Sequence, residues 1–74
     1  MKPGDLVMFR DEDGDGYAQW FGGQLALVTS YVATGADGKP HCRVSWLKPV
    51  KYFDRSTKSS DFAASRFEVI NEGR

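Results

Sequence analysis

Seventy-four residues with a formal net charge of zero and one cysteine describe one small domain, residues 1–74, with no room for a second core. Cys42 has no partner for an internal disulfide, and no apolar run is long enough for a signal peptide or a membrane span. A reducing cytoplasm is the expected compartment, and so small a core leaves no space for a buried catalytic centre.

Four runs rich in β-branched, aromatic and other apolar residues fill the chain almost end to end, at residues 5–10, 24–33, 41–48 and 67–70. Glycine, proline, aspartate and serine cluster in the gaps, and no stretch carries a long helical period. This pattern predicts an all-β domain built as a small barrel. Lys2-Pro3-Gly4-Asp5 is a turn that feeds the first strand. Residues 11–23 form a long loop, acidic at first and aromatic later, whose glycines and acids disfavour a strand through its first half.

Residues 24–33 are the longest strand. Leu25, Leu27, Thr29 and Tyr31 share one face, and Ala26, Val28, Ser30 and Val32 the other. Both faces begin apolar and become mixed, as in a strand that starts enclosed and ends at the rim. A hairpin loop at 34–40 follows, with Asp37-Gly38 as its tight turn. In residues 41–48, Cys42, Val44 and Trp46 are assigned to the core, and His41, Arg43 and Ser45 to solvent. Pro49 cannot donate a ladder hydrogen bond and is expected to end that strand. Residues 49–61 read as a second long connection. Ser59-Ser60-Asp61 then caps a single helical or 3₁₀ turn over 62–65, ahead of the last strand.

Pro3-Gly4-Asp5-Leu6-Val7, Gly23-Gln24-Leu25-Ala26-Leu27-Val28-Thr29, Arg43-Val44-Ser45-Trp46 and Arg66-Phe67-Glu68-Val69-Ile70 occur in that order. Together they resemble the small SH3-like barrels encoded by tailed bacteriophages, and the opening turn is similar to that of KOW-type barrels. The resemblance implies about five strands around a compact core, with one short helical turn before the last strand. It also implies an accessory or structural role with no catalytic residues. It does not extend to proline-rich peptide binding, because Tyr17 lacks a paired tyrosine and Trp46 is followed by Leu47.

Charge is unevenly spread along the chain. Residues 1–40 carry a net −3 and residues 41–66 a net +4. Such asymmetry suits a polar partner or self-association through opposite faces, so a homo-oligomer is one expectation. Asp11, Asp13 and Asp15 with Gly16 match the first half of an EF-hand loop, but Gly22 stands where the bidentate glutamate belongs. The loop is therefore read as solvated, with weak calcium binding as the third functional option. His41 and Cys42 are adjacent in a strand and point to opposite sides, so they form neither a zinc site nor a catalytic dyad. No cofactor and no enzymatic activity are expected.

Lys48, Lys51, Arg55 and Lys58 lie close to Tyr52 and Phe53, with Trp20 and Phe21 as further aromatics. Two readings of this set follow. In the leading one, Trp20, Phe21, Tyr52 and Phe53 anchor a protein partner through the two long loops, and Lys51, Arg55 and the acidic loop set its orientation by charge. In the alternative, Arg43, Lys48, Lys51, Tyr52, Arg55 and Lys58 hold single-stranded nucleic acid by phosphate neutralisation and base stacking. Trp20 and Phe21 could instead fold back as a lid over one barrel end, since the core needs aromatics.

Overall fold

Alternation in the first strand sets the frame of the molecule. Val7 and Phe9 point inward and are fully buried, while Leu6 and Met8, which alternate with them, face outward and are half-buried. The computed structural model describes residues 1–12 and 16–71. Its strands are β1 (Leu6–Phe9), β2 (Leu25–Val32), β3 (His41–Tyr52), β4 (Arg55–Ala63) and β5 (Phe67–Asn71). They form one antiparallel sheet in the order β4-β3-β2-β1-β5. A 3₁₀ turn at Ala64–Arg66 precedes β5. The chain is thus the small all-β fold expected, with five strands and a short helical turn before the last.

The sheet is open in its hydrogen bonding and curled by its core. Laid flat, β4 and β5 would stand four strand spacings apart, roughly 19 Å. Instead the rings of Phe62 on β4 and Phe67 on β5 have centroids 6.1 Å apart. Phe9 sits between them and the rest of the core, its ring 5.0 Å from Phe62, 5.3 Å from Phe67 and 5.8 Å from Phe21. Aromatic pairs of this kind add about 0.5–1.5 kcal/mol each beyond the area they bury. The buried set comes from β1, β2, β3 and β5 together with Phe21 of the loop after β1, and includes Ala26, Val28, Cys42, Val44, Trp46 and Val50. The indole N–H of Trp46 donates to Ser60 Oγ at 3.0 Å, so its polar edge is satisfied. Val69 and Ile70 of β5 remain exposed.

The opening turn is more than a lead-in. Asp5 is buried, and its carboxylate accepts from the backbone N–H and from Nζ of Lys2, both at 2.9 Å. The backbone around it joins β2, with Gly4 N–H donating to Val28 O and Val28 N–H donating to Asp5 O.

Four expectations are corrected. Pro49 does not end β3, which continues to Tyr52. Four residues of β3, 46–49, face the single residue Lys58 of β4, between the pairs Ser45–Ser59 and Val50–Thr57. The proline occupies this bulge, where a missing N–H costs no ladder bond. Residues 49–61 are consequently not a long connection but the end of β3, a two-residue turn and most of β4. Phe62 and Ala63 extend β4, and helical geometry begins only at Ala64. Finally, β2 is not enclosed on both faces in its first half. Ala26 and Val28 are buried, whereas Leu25 and Leu27 are exposed on the outer face.

Candidate functional site

The loop after β1 contains one helical turn, α1 (Ala18–Phe21). Tyr17, Trp20 and Phe21 recur at i, i+3 and i+4, the spacing that stacks side chains on one helical face. Gln19 Nε2 donates to Gly16 O at 2.8 Å at its start, and Gly22 N–H donates to Ala18 O at 2.9 Å at its end. A side chain at Gly22 would lie 2.5 Å from Ala18 O and 2.9 Å from the Asp11 carboxylate, so the exit from α1 has no room for a Cβ. Gly23 N–H donates to Phe9 O, and Phe9 N–H to Gln24 O, which ties the loop onto β1.

That tether settles the lid question for one residue. Phe21 is 2 % exposed and stacks on Trp46 at 5.0 Å and 18° between ring planes. It is a core residue that packs beneath the expected contact surface, its ring 5.3 Å from that of Tyr52. Trp20 is half-buried at the margin of the core.

The second contributor is the hairpin between β3 and β4. Phe53 and Asp54 form its two-residue turn, and Phe53 has φ +55°. Asp54 does not share that positive φ. A positive angle at the first turn residue alone is the pattern of the type II′ hairpin, where glycine is usual. A bulky residue held there costs on the order of 1–3 kcal/mol. Phe53 is 64 % exposed, so burial does little to offset that strain.

The two contributors meet. Trp20 lies 4.8 Å from Tyr52 and 4.7 Å from Phe53 between ring centroids, and Tyr52 lies 4.5 Å from Phe53. Tyr17 stacks on Tyr52 at 6.1 Å. Rings this close touch one another and leave no gap between them for an inserted group. Beside them opens a cleft of about 350 Å³, walled by Tyr17, Tyr52 and Phe62, with Arg55 and Asp61 on its polar side. Burial raises the Tyr52 hydroxyl above its ordinary pKa, and the hydroxyl of Tyr17 adds to the effect.

The charged candidates are dispersed. Arg55 pairs with Tyr52 across the hairpin and lines the cleft, whereas Lys51 pairs with Ser56 and takes the opposite face. Lys58 is exposed opposite the β3 bulge, and Lys48 lines a separate recess with Leu25 and Leu47. Arg43 makes a fork-like pair with Asp61, Nη2 to Oδ2 at 2.9 Å, which holds its guanidinium pKa up. The aromatic half of the expected protein-binding set therefore converges, with Phe21 buried beneath the exposed rings and lining the cleft. The basic set does not form one patch.

Asp11 packs beside Gly22, while Asp13 and Asp15 lie outside the described residues, as does the calcium-loop reading that depends on them. Among the described residues no three of His, Cys, Asp and Glu come together as metal ligands. Cys42 is buried in the core and His41 faces away, its Nε2 3.0 Å from Asp37 Oδ1. The opposed placement is the one read from the strand. No helix among the described residues is long and apolar enough to cross a membrane. Comparison of the chain with protein families, with curated proteins and with solved structures gives no match.

Sequence reasoning passed over Tyr17 and Phe62 as site residues. The i, i+3, i+4 aromatic spacing from Tyr17 was the available signal for the first. Phe62 carried none, because the polar run before it hides a strand.

Proposed function

We propose that this chain is a non-enzymatic binding module that engages a protein partner through Tyr17, Trp20, Tyr52 and Phe53. Arg55 in the adjoining cleft orients the partner by charge. The observation that carries this reading is Phe53. An aromatic ring held at positive φ, exposed, in a turn that favours glycine is a cost to folding, and strain of this sort collects at contact sites. Tryptophan and tyrosine are also the residue types that anchor protein interfaces. The resemblance to bacteriophage SH3-like barrels and the unpaired cysteine suit work in the cytoplasm of an infected bacterium.

The nucleic-acid alternative has weaker support. Arg43 is engaged with Asp61, and Lys51 and Tyr52 take opposite faces of their strand.

Peptide-display selection against the immobilised protein tests the proposal. The expected result is peptides rich in apolar and aromatic residues that lose at least about tenfold in affinity for Phe53→Gly, about 1.4 kcal/mol. Binding should change little between about 50 and 200 mM salt. Peptides held equally by the variant would overturn the assignment. Saturable binding of a single-stranded oligonucleotide that collapses over the same salt range would replace it with the alternative.

A further inference from the structure

The cleft beside the aromatic rings has a chemical bias built into β4. Arg55 pairs with Tyr52, Thr57 with Val50, Ser60 with Val44 and Phe62 with Cys42, so these four side chains share the side of β4 that lines the cleft. That side runs from a cation at Arg55, past two hydroxyls, to an apolar end at Phe62. Tyr17 walls the cleft between them, its ring 5.3 Å from Phe62 and 6.1 Å from Tyr52. Charge in the cleft is one-sided. Asp61 borders it, but the Asp61 carboxylate is held by the Arg43 guanidinium at 2.9 Å. Arg55 is exposed, and its guanidinium makes no ion pair or hydrogen bond among the described residues.

We infer that the cleft takes an acidic side chain from an extended segment of the protein partner, with an apolar or aromatic residue two positions away seated against Tyr17 and Phe62. The assignment rests on the protein-binding role proposed for the neighbouring rings and adds the partner's chemistry. Charge selects the acid. A free guanidinium is a planar fork of N–H donors that matches a carboxylate. It also repels a lysine or arginine, which the tyrosine rings would otherwise attract. Spacing selects the second residue. Side chains at i and i+2 of an extended chain share a face and stand roughly 7 Å apart. The wall at Tyr17 and the cation at Arg55 are separated on the same scale, because Tyr52 stands next to Tyr17 and directly across the hairpin from Arg55. Between the two ends, Ser60 Oγ accepts from Trp46 Nε1 and keeps its own proton to donate to the partner's main chain.

Amide shift titration of the labelled protein tests the inference with the blocked peptide acetyl-Glu-Thr-Phe-Thr-Glu-amide. A glutamate stands two positions to either side of its ring, so both chain directions are covered. The control peptide carries glutamine at both glutamate positions. The expected result is saturable shifts at Tyr17, Thr57, Ser60 and Phe62, with the acidic peptide bound at least about threefold more tightly, within the range for exposed ion pairs. Arg55→Gln should erase that difference, and Arg55→Glu should reverse it in favour of a lysine-bearing peptide. Arg55 is exposed, and circular dichroism verifies that both variants fold. Equal affinity for the two peptides, or an acid preference that survives Arg55→Gln, would overturn the inference. So would the absence of a saturable shift up to about 10 mM peptide. Arg55-dependent binding of acetyl-phenylalanine through its terminal carboxylate, with no response to the blocked peptide, would overturn it in favour of a chain end. The result also separates this inference from the role of the neighbouring rings. No acid preference in a protein whose display-selected peptides still depend on Phe53 sinks the acidic occupant alone. An acid preference that persists when those peptides ignore Phe53 sinks the ring surface and leaves the cleft.

Discussion

At the scale of single residues, two buried polar groups carry opposite risks. Asp5 is enclosed and accepts from both the backbone N–H and Nζ of Lys2, so its removal takes away both bonds at the sheet's first turn. Asp5→Ala is expected to cost about 1–3 kcal/mol, read as a lower urea midpoint with an unchanged slope. Cys42 is enclosed without a charged partner. Burial, aided by the Asp61 carboxylate, pushes its thiol pKa up to about 11. The native protein should therefore resist iodoacetamide at pH 8 and alkylate only on unfolding. The sign of the stability effect follows. The unfolded thiol gives up its proton near pH 9 while the folded one keeps it to about 11, so the folded state binds more protons in that window. Stability is fully present below pH 9 and falls as pH rises through this window. Tyr52, also shifted upward, acts in the same sense at higher pH. A urea series from pH 7 to 10.5 measures the decline.

At the scale of elements, α1 and the β3–β4 hairpin divide labour between neighbouring aromatics. Phe21 stacks on Trp46 inside, and Trp20 rests on Tyr52 and Phe53 outside. Phe21→Ala should thus cost about 3–5 kcal/mol, which is comparable with the whole stability of so small a domain. Trp20→Ala should cost well under that and leave the thermal transition cooperative, as differential scanning calorimetry can establish. Phe53→Gly should hold or raise the melting temperature, since glycine adopts φ +55° freely, even as it removes the ring from the contact surface. These elements also mark where the sequence was readable. Cys42, Val44 and Trp46 announced their face because apolar and polar residues alternate there, and all three are buried. The strand that follows the hairpin gave no such sign. Arg55 to Asp61 is polar at every position, because β4 pairs on one side only and turns few of its side chains inward. Pro49 misled for a related reason. Its missing donor is costly within a ladder and costs nothing in a bulge, and the bulge is a property of the pairing partner rather than of the proline. In the candidate site, the aromatic residues were legible as residue types. Their convergence was not, since it depends on a one-turn helix with no capping side chain.

At the scale of the whole molecule, most of the structure is non-local. β5 returns from the end of the chain to pair with β1, and β1 and β2 are separated by the loop that carries α1. Closing such loops before their contacts form makes folding slow for the size, so stopped-flow refolding is expected in the range of milliseconds to seconds. A microsecond phase that recovers full Trp46 burial would contradict this. The seam where the curled sheet comes together has a further consequence. Phe62 and Phe67 bring β4 and β5 near one another through their rings, without the ladder that would use up the outer backbone groups of both strands. Each edge is thus a template on which a foreign strand could grow. The two edges are guarded differently. Along β4 the guard is hydration, supplied by Lys58, Asp61 and a run of hydroxyls. Along β5 it is irregularity, since the register shift opposite Leu6 and Val7 spoils the row on which a new strand would lie. The polarity that concealed β4 from sequence reading is, in these terms, the chain's insurance against becoming a fibre.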